Sequence, residues 1–257
     1  MAKVNLRDAQ ASLCYTPSHH QLMWEKPPVL LMPNLTIQMA IAILVAVLVG
    51  MTLHEFAHNY IAHLMGDPTP ARTGHLTLNP MVHIFWPGFL MFVVLGFGIL
   101  GFSAPISPYR MRNPRWGYLA SIAAGPLSNL LLAIVASLLL RLLNVNPLRI
   151  FEVVFQGTIE SPVDALALLL GQMVFWNVLT FVFNLMPFFP IDGWRIVFTL
   201  LPPDMARWWE RNAQNSQIVL IVLIVIGFAN IPGFDPLGTA ISEPTFRLTF
   251  WLFGFPF

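Results

Sequence analysis

Residues 35–58 read LTIQMAIAILVAVLVGMTLHEFAH, an apolar run that ends in two histidines and a glutamate. Segment 35–53 has the length of a membrane-spanning helix, because about 20 apolar residues at ~1.5 Å each cross a hydrocarbon core of ~30 Å. Ionisable groups at the end of such a helix are costly in lipid and are usually functional. This stretch therefore predicts a membrane protein and the place of its functional site.

The polar end of this run, His54, Glu55 and His58, has the pattern H-E-x-x-H. Residues four positions apart lie on one face of a helix, so the imidazoles of His54 and His58 can bind a single Zn²⁺. Glu55 lies beside them, where its carboxylate can take a proton from an attacking water. Zn²⁺ is accordingly the predicted cofactor. The alternative is an ordinary polar turn on a helix that has already left the bilayer.

The composition of the chain agrees with a lipid environment. Of the 257 residues, 56% are hydrophobic and 10% are charged, whereas a soluble domain carries about a quarter charged residues. The net charge of +1 provides no basic field, so we expect no nucleic-acid partner. The single cysteine, Cys14, excludes a zinc site built from several cysteines.

Further apolar runs predict an all-α polytopic membrane protein. Segments 117–140, 165–186 and 217–232 join 35–53 as about four expected transmembrane helices. Segment 86–101 is shorter and is interrupted by proline and glycine, which favours a re-entrant segment.

Three parts of the chain follow from this pattern. We expect a polar N-terminal tail over 1–34, a membrane-embedded core over 35–232 and an aromatic-rich interfacial segment over 233–257. The expected location is the plasma membrane, with several crossings and with the lipid bilayer as a partner.

Charged residues indicate the orientation of the helices. The loop 103–116 contains three arginines and no acidic residue, so the positive-inside rule places it in the cytoplasm. The loop 141–164 contains acidic residues as well and is expected to face outward. Segment 165–186 then returns to the cytoplasmic side. A metal shared between the ends of 35–53 and 165–186 requires the first helix to run inward, which places the N-terminal tail outside.

A catalytic zinc usually has a third protein ligand. His63 is unsuitable, because nine positions along a helix place it opposite His54. No acidic residue occurs from 68 to 151, and those at 152, 160 and 164 are expected on the outer side. Asp192 remains as the predicted ligand, in a turn-rich stretch that follows segment 165–186. The alternative is a polar turn that caps a membrane helix.

The sequence resembles the site-2 protease family of intramembrane zinc peptidases (M50) over roughly residues 36–200. The resemblance rests on four motifs, which are HEFAH at 54–58, GHLTLNP at 74–80, AGPLSN at 124–129 and N-x-x-P-x-x-P-x-D-G at 184–193. It implies that His54, His58 and Asp192 are the metal ligands and that Glu55 is the catalytic base.

The resemblance also implies roles for residues beyond the ligands. Asn129 and Asn184 are expected near the site as substrate-binding residues, although a hydrogen bond between helices is the alternative for Asn129. Segment 74–80 alternates like a strand and is expected to form a small membrane-associated β-structure that receives substrate, with a plain loop as the alternative.

The activity that the resemblance implies is regulated intramembrane proteolysis. The expected reaction is hydrolysis of peptide bonds in transmembrane protein substrates near the cytoplasmic leaflet. The alternative function is a membrane zinc transporter or a zinc-binding sensor that does not hydrolyse anything.

Overall fold

A computed structural model describes residues 35–95, 101, 104–229 and 234–255, and the expected tail 1–34 lies outside this range. The described residues are mostly helical and contain no β-sheet. Their helices, in chain order, are α1 (Ile37–Leu64), α2 (Thr69–Arg72), α3 (Pro80–His83), α4 (Trp86–Leu95), α5 (Pro114–Leu142), α6 (Pro147–Phe151), α7 (Pro162–Asn184), α8 (Asp192–Leu200), α9 (Pro203–Arg211), α10 (Ala213–Phe228) and α11 (Pro236–Phe253).

Three of the described helices, α1, α5 and α7, are long and apolar enough to cross a membrane, which indicates a membrane protein. They contain most of the predicted spans 35–53, 117–140 and 165–186. Helices α9 and α10 meet at a bend of 56° and qualify together as a fourth candidate span. The predicted span 217–232 falls largely within α10.

The long helices begin where the sequence provides caps. The Thr36 hydroxyl accepts a hydrogen bond from the Met39 amide at the start of α1, and Asn113 caps α5 in the same way. Ser161 and Asp164 form a reciprocal capping box at the start of α7. Proline occupies the first turn of α5 and of α7, where its missing N–H leaves no intrahelical bond unmade.

The core is a bundle in which α1, α5 and α7 pack against one another, with α11 against α7 and α5. Small residues let the helices approach closely, as is usual within membranes; Ala46 of α1 and Ala133 of α5 are completely buried. The Ser137 hydroxyl donates to the Leu252 carbonyl at 2.7 Å and ties α11 to α5. The interfacial placement of 233–257 stays a prediction.

Segment 74–80 is irregular, so the expected β-structure is not confirmed. Its polar side chains bond to the nearby backbone instead of leaving it free for a strand. The Asn79 side chain accepts from the Met81 amide and caps α3, while the Thr77 hydroxyl accepts from the Asn79 amide.

Within segment 86–101, the described part is the ten-residue helix α4 and Gly101. Ile84, just before α4, forms an isolated antiparallel bridge with Gly101. Residues 84 and 101 are therefore neighbours in space.

Candidate metal centre

Three side chains bring their donor atoms together at one end of the bundle. His54 Nε2 lies 3.0 Å from His58 Nε2, and Asp192 Oδ2 lies 3.1 Å from the first and 3.2 Å from the second. All three residues are buried. The structure thus brings together the three residues that the sequence predicted as ligands.

Local structure explains how these residues meet. Helix α1 continues for about three turns beyond residue 53, so His54 and His58 stay on one helical face. Asp192 is the first residue of α8, which packs against α5. Gly193 permits the tight return from α7, because a Cβ there would lie 2.6 Å from the Leu185 carbonyl carbon.

The far side of each imidazole is held by a hydrogen bond to an oxygen that can only accept. His54 Nδ1 donates to Asn129 Oδ1 at 2.6 Å, and His58 Nδ1 donates to the Ser121 carbonyl at 2.8 Å. A neutral imidazole with its proton on Nδ1 has a free lone pair on Nε2. The hydrogen bonds therefore fix the ring orientation of both histidines and favour the Nδ1–H tautomer, which leaves Nε2 free to bind a metal.

The site has room for a metal because residue 125 has no side chain. A Cβ on Gly125 would lie 2.8 Å from His54 Nε2 and would overlap His58 Nε2. Ligands of a tetrahedral Zn²⁺ at 2.0–2.1 Å are about 3.3 Å apart, close to the spacing of these donors. Two imidazoles and one carboxylate are an ordinary donor set for a catalytic zinc, with one position left open. The residues present fit Zn²⁺.

Glu55 lies next to His54 on α1 and is 7% exposed. Its carboxyl group packs against Gly101, where a Cβ would lie 2.7 Å from the Glu55 carboxyl carbon. Gly101, which is bridged to Ile84, therefore lies beside the expected base. The role of Glu55 as base stays a prediction.

The two predicted substrate-binding residues have different surroundings. Asn129 is 1% exposed and connects helices, because its amide nitrogen donates to the Gly50 carbonyl and to Asn177 Oδ1. This geometry agrees with the interhelical alternative. Asn184 is half-buried at the end of α7, and its amide nitrogen donates to the Thr180 carbonyl. Substrate binding by either residue stays a prediction.

Sequence reasoning missed Asp67, which joins the loop after α1 to the loop before α5. It is completely buried, and its carboxylate accepts hydrogen bonds from the backbone amides of Ser107 and Thr69 and from the Thr69 hydroxyl. Burial alone would raise the pKa of Asp67, but these hydrogen bonds, with Arg110 nearby, hold the pKa below its usual value. A buried carboxylate with this many partners is a structural clamp.

Comparison with known proteins yields relatives with a common description. A Bacillus subtilis protein named "Putative zinc metalloprotease YwhC" is 35% identical over 220 residues, which are 84% of this chain and 87% of the relative. Proteins named "Putative zinc metalloprotease Rip2" are 26% identical over 212 residues in Mycolicibacterium smegmatis and 28% identical over 213 residues in Mycobacterium tuberculosis. These matches cover 81% and 80% of this chain and 71% and 70% of the relatives. No family model and no solved structure matches.

Proposed function

This chain belongs to the zinc metalloprotease family that includes YwhC and Rip2, and from that premise we propose that it is an intramembrane protease of the site-2 type. Its reaction is hydrolysis of peptide bonds in transmembrane protein substrates near the cytoplasmic leaflet. The observation that carries the proposal is the position of the metal site. Two of the proposed ligands lie on a candidate membrane helix, α1, and the third begins α8, the next helix after another candidate span, α7.

The arginine-rich loop supports a cytoplasmic position for the site. The Arg112 backbone amide donates to the Met65 carbonyl at the end of α1, at 2.9 Å. The Arg115 side chain donates to the Thr199 carbonyl of α8, also at 2.9 Å. The arginines are therefore attached to both elements that supply ligands, and positive loops favour the cytoplasmic side.

The excursion between Ile84 and Gly101 supports a re-entrant segment. Ten helical residues extend about 15 Å, which is half of the hydrocarbon core. Because Ile84 and Gly101 are bridged, the chain would enter and leave on one side of the membrane. Gly101, at the end of this segment, lies beside Glu55. In this position the segment would shield the reaction from lipid.

The mechanism divides the work among a few side chains. His54, His58 and Asp192 would hold Zn²⁺, which would supply a Lewis acid that polarises the scissile carbonyl and makes water acidic enough to lose a proton near neutral pH. Glu55 takes the proton from the attacking water and delivers it to the leaving nitrogen. Asn184, half-exposed at the end of α7, binds the substrate backbone. The substrate must unwind locally, because a transmembrane helix keeps its carbonyls in internal hydrogen bonds.

The test uses the purified protein and a membrane-spanning substrate in detergent and in liposomes. We expect cleavage that a chelator stops and that added Zn²⁺ restores. Glu55→Gln should abolish cleavage while the protein still contains zinc. Full cleavage by that variant would refute the base assignment. Zinc flux into liposomes without any cleavage would instead identify a transporter.

A further inference from the structure

We propose that Asn177 is a positioning residue for the metal centre, which acts through Asn129 to fix the orientation and tautomer of His54. Asn177 lies in the middle of α7 and is not part of any motif described above. The role rests on the proposed function in that it requires a metal at His54, but it does not depend on which substrate is cleaved.

A continuous series of hydrogen bonds joins His54 to the backbone of α7. His54 Nδ1 lies 2.6 Å from Asn129 Oδ1. The Asn129 amide nitrogen lies 2.8 Å from Asn177 Oδ1. The Asn177 amide nitrogen in turn lies 2.8 Å from the Met173 carbonyl oxygen. Asn129 and Asn177 are each 1% exposed, so bulk water does not compete for these bonds.

The series has only one direction in which every bond is satisfied. The Met173 carbonyl can only accept, so Asn177 must turn its NH₂ group toward Met173 and its oxygen toward Asn129. That oxygen requires the NH₂ group of Asn129, which leaves the Asn129 oxygen facing His54. His54 Nδ1 must then be the protonated nitrogen, and Nε2 keeps the lone pair for the metal.

Helix α1 is shaped to admit this amide. A Cβ on Gly50, one turn before His54, would lie 3.0 Å from Asn177 Cγ and would overlap Oδ1. The Gly50 carbonyl accepts the second hydrogen of the Asn129 amide at 3.2 Å. Asn177 is thus enclosed between α1, α5 and its own helix, in a place where a polar side chain without partners would be costly.

Loss of Asn177 has a specific consequence. Without Asn177, only the longer bond to the Gly50 carbonyl, at 3.2 Å, would hold the Asn129 NH₂ group in place. A rotation that presents the NH₂ group to His54 would then break one hydrogen bond of the NH₂ group instead of two. That arrangement favours the proton on Nε2, where it blocks the metal. The expected defect is weaker metal binding, beyond any loss of stability.

The experiment titrates metal-free protein with Co²⁺, whose visible absorption reports the ligand set. Asn177→Leu and Asn177→Ser should weaken Co²⁺ binding about 10-fold and alter the spectrum, since lost outer partners of a metal ligand have effects of 10- to 100-fold. Asn177→Asp should stay close to wild type, because a neutral carboxyl group can accept from Asn129 and donate to Met173.

The matched control is Gln172→Leu, which removes another buried amide from α7. Gln172 donates to the Val154 carbonyl and accepts from the Trp176 indole, away from the metal. Its loss should reduce stability without changing Co²⁺ affinity. In an Asn129→Leu background, Asn177→Leu should weaken Co²⁺ binding no further, because its route to His54 is already cut.

The proposal is overturned if Asn177→Ser binds Co²⁺ with wild-type affinity and spectrum, a result that counts even if Asn177→Leu does not fold. It is also overturned if Gln172→Leu weakens Co²⁺ binding equally, or if the effects at positions 129 and 177 add. Cleavage is not part of the readout, so failure of the proposed protease activity would leave this result separate.

Discussion

The two ends of the helix bundle differ in the partners of their polar and charged groups. At the end that the charge pattern predicts to face outward, called the outward end below, Arg149 pairs with Asp164 at 2.9 Å, Glu160 at 3.1 Å and Glu152 at 3.2 Å, so one cation contacts all three carboxylates. At the metal end, the Nε2 atoms of His54 and His58 and the Asp192 carboxylate face one another at 3.0 to 3.2 Å. The outward end therefore satisfies its carboxylates with an arginine, whereas the metal end collects three donor atoms that suit a bound cation.

The largest expected effect breaks the metal end alone. Gly125→Ala places a Cβ against the Nε2 atoms of both His54 and His58, so zinc binding should fall by at least 100-fold, beyond the effect of losing an outer partner. Zinc content after dialysis measures this. Gly117→Ala on the same helix is the control, because its Cβ would meet the flexible Met111 side chain at 3.0 Å. A full equivalent of zinc in Gly125→Ala would contradict the proposal that the space beside Gly125 is needed for metal binding.

The second prediction separates catalysis from metal binding within the same end. Gly101→Ala should displace the Glu55 carboxyl group, whereas the imidazoles of His54 and His58 should keep their positions. We expect cleavage to fall about 100-fold, in the range that a general base contributes, with zinc content unchanged. Unchanged cleavage would show that Glu55 does not depend on this contact.

The third prediction tests the outward end. Arg149→Leu leaves Asp164 without its cation, so the unfolding temperature should fall by a few degrees while zinc affinity stays the same. Arg247→Leu is the matched control, because its pair with Glu243 is exposed and such pairs contribute little. Weaker zinc binding in Arg149→Leu would show that the two ends are coupled.

The smallest expected effect concerns Asp67, which lies near the metal end. Protein hydrogen-bond donors satisfy its carboxylate, as Arg149 satisfies the carboxylates of the outward end. Since its folded pKa is lowered, its carboxylate stabilises the fold above the unfolded pKa of about 4, and this is lost as the pH falls further. Metal-free wild type should therefore be more stable than Asp67→Asn at neutral pH, with a difference that shrinks in acid. A difference in unfolding temperature that does not change with pH would contradict this.

The parts of the fold that were predictable depend on local pattern. Apolar runs of spanning length predicted α1, α5 and α7, and the spacing of His54 and His58 predicted a shared metal. The zinc cofactor is confirmed by the relatives and by the ligand group. Asp192 could be chosen from the sequence because the stretch 68–151 offers no acidic competitor.

The features of the site that could not be predicted from the sequence are contacts between distant segments of the chain. In the sequence, Gly125 and Gly101 are ordinary glycines. The packing shows that Gly125 lies against the two metal-binding imidazoles and that Gly101 lies against the Glu55 carboxyl group. Asn177 gave only the general signal of a polar residue in a span. Segment 74–80 alternates as a strand does, but Pro80 and the Asn79 cap start a helical turn there.

The position of Asp192 in the sequence affects how the site is assembled during synthesis. Asp192 comes more than a hundred residues after His58 and follows two further candidate membrane helices, α5 and α7. A chain still emerging from the ribosome has both histidines in place long before α7 and α8 exist. Until that last stretch is made and folded back, the nascent polypeptide holds two of the three donor groups. If the proposed function holds, the order of synthesis delays proteolytic activity until the bundle is assembled.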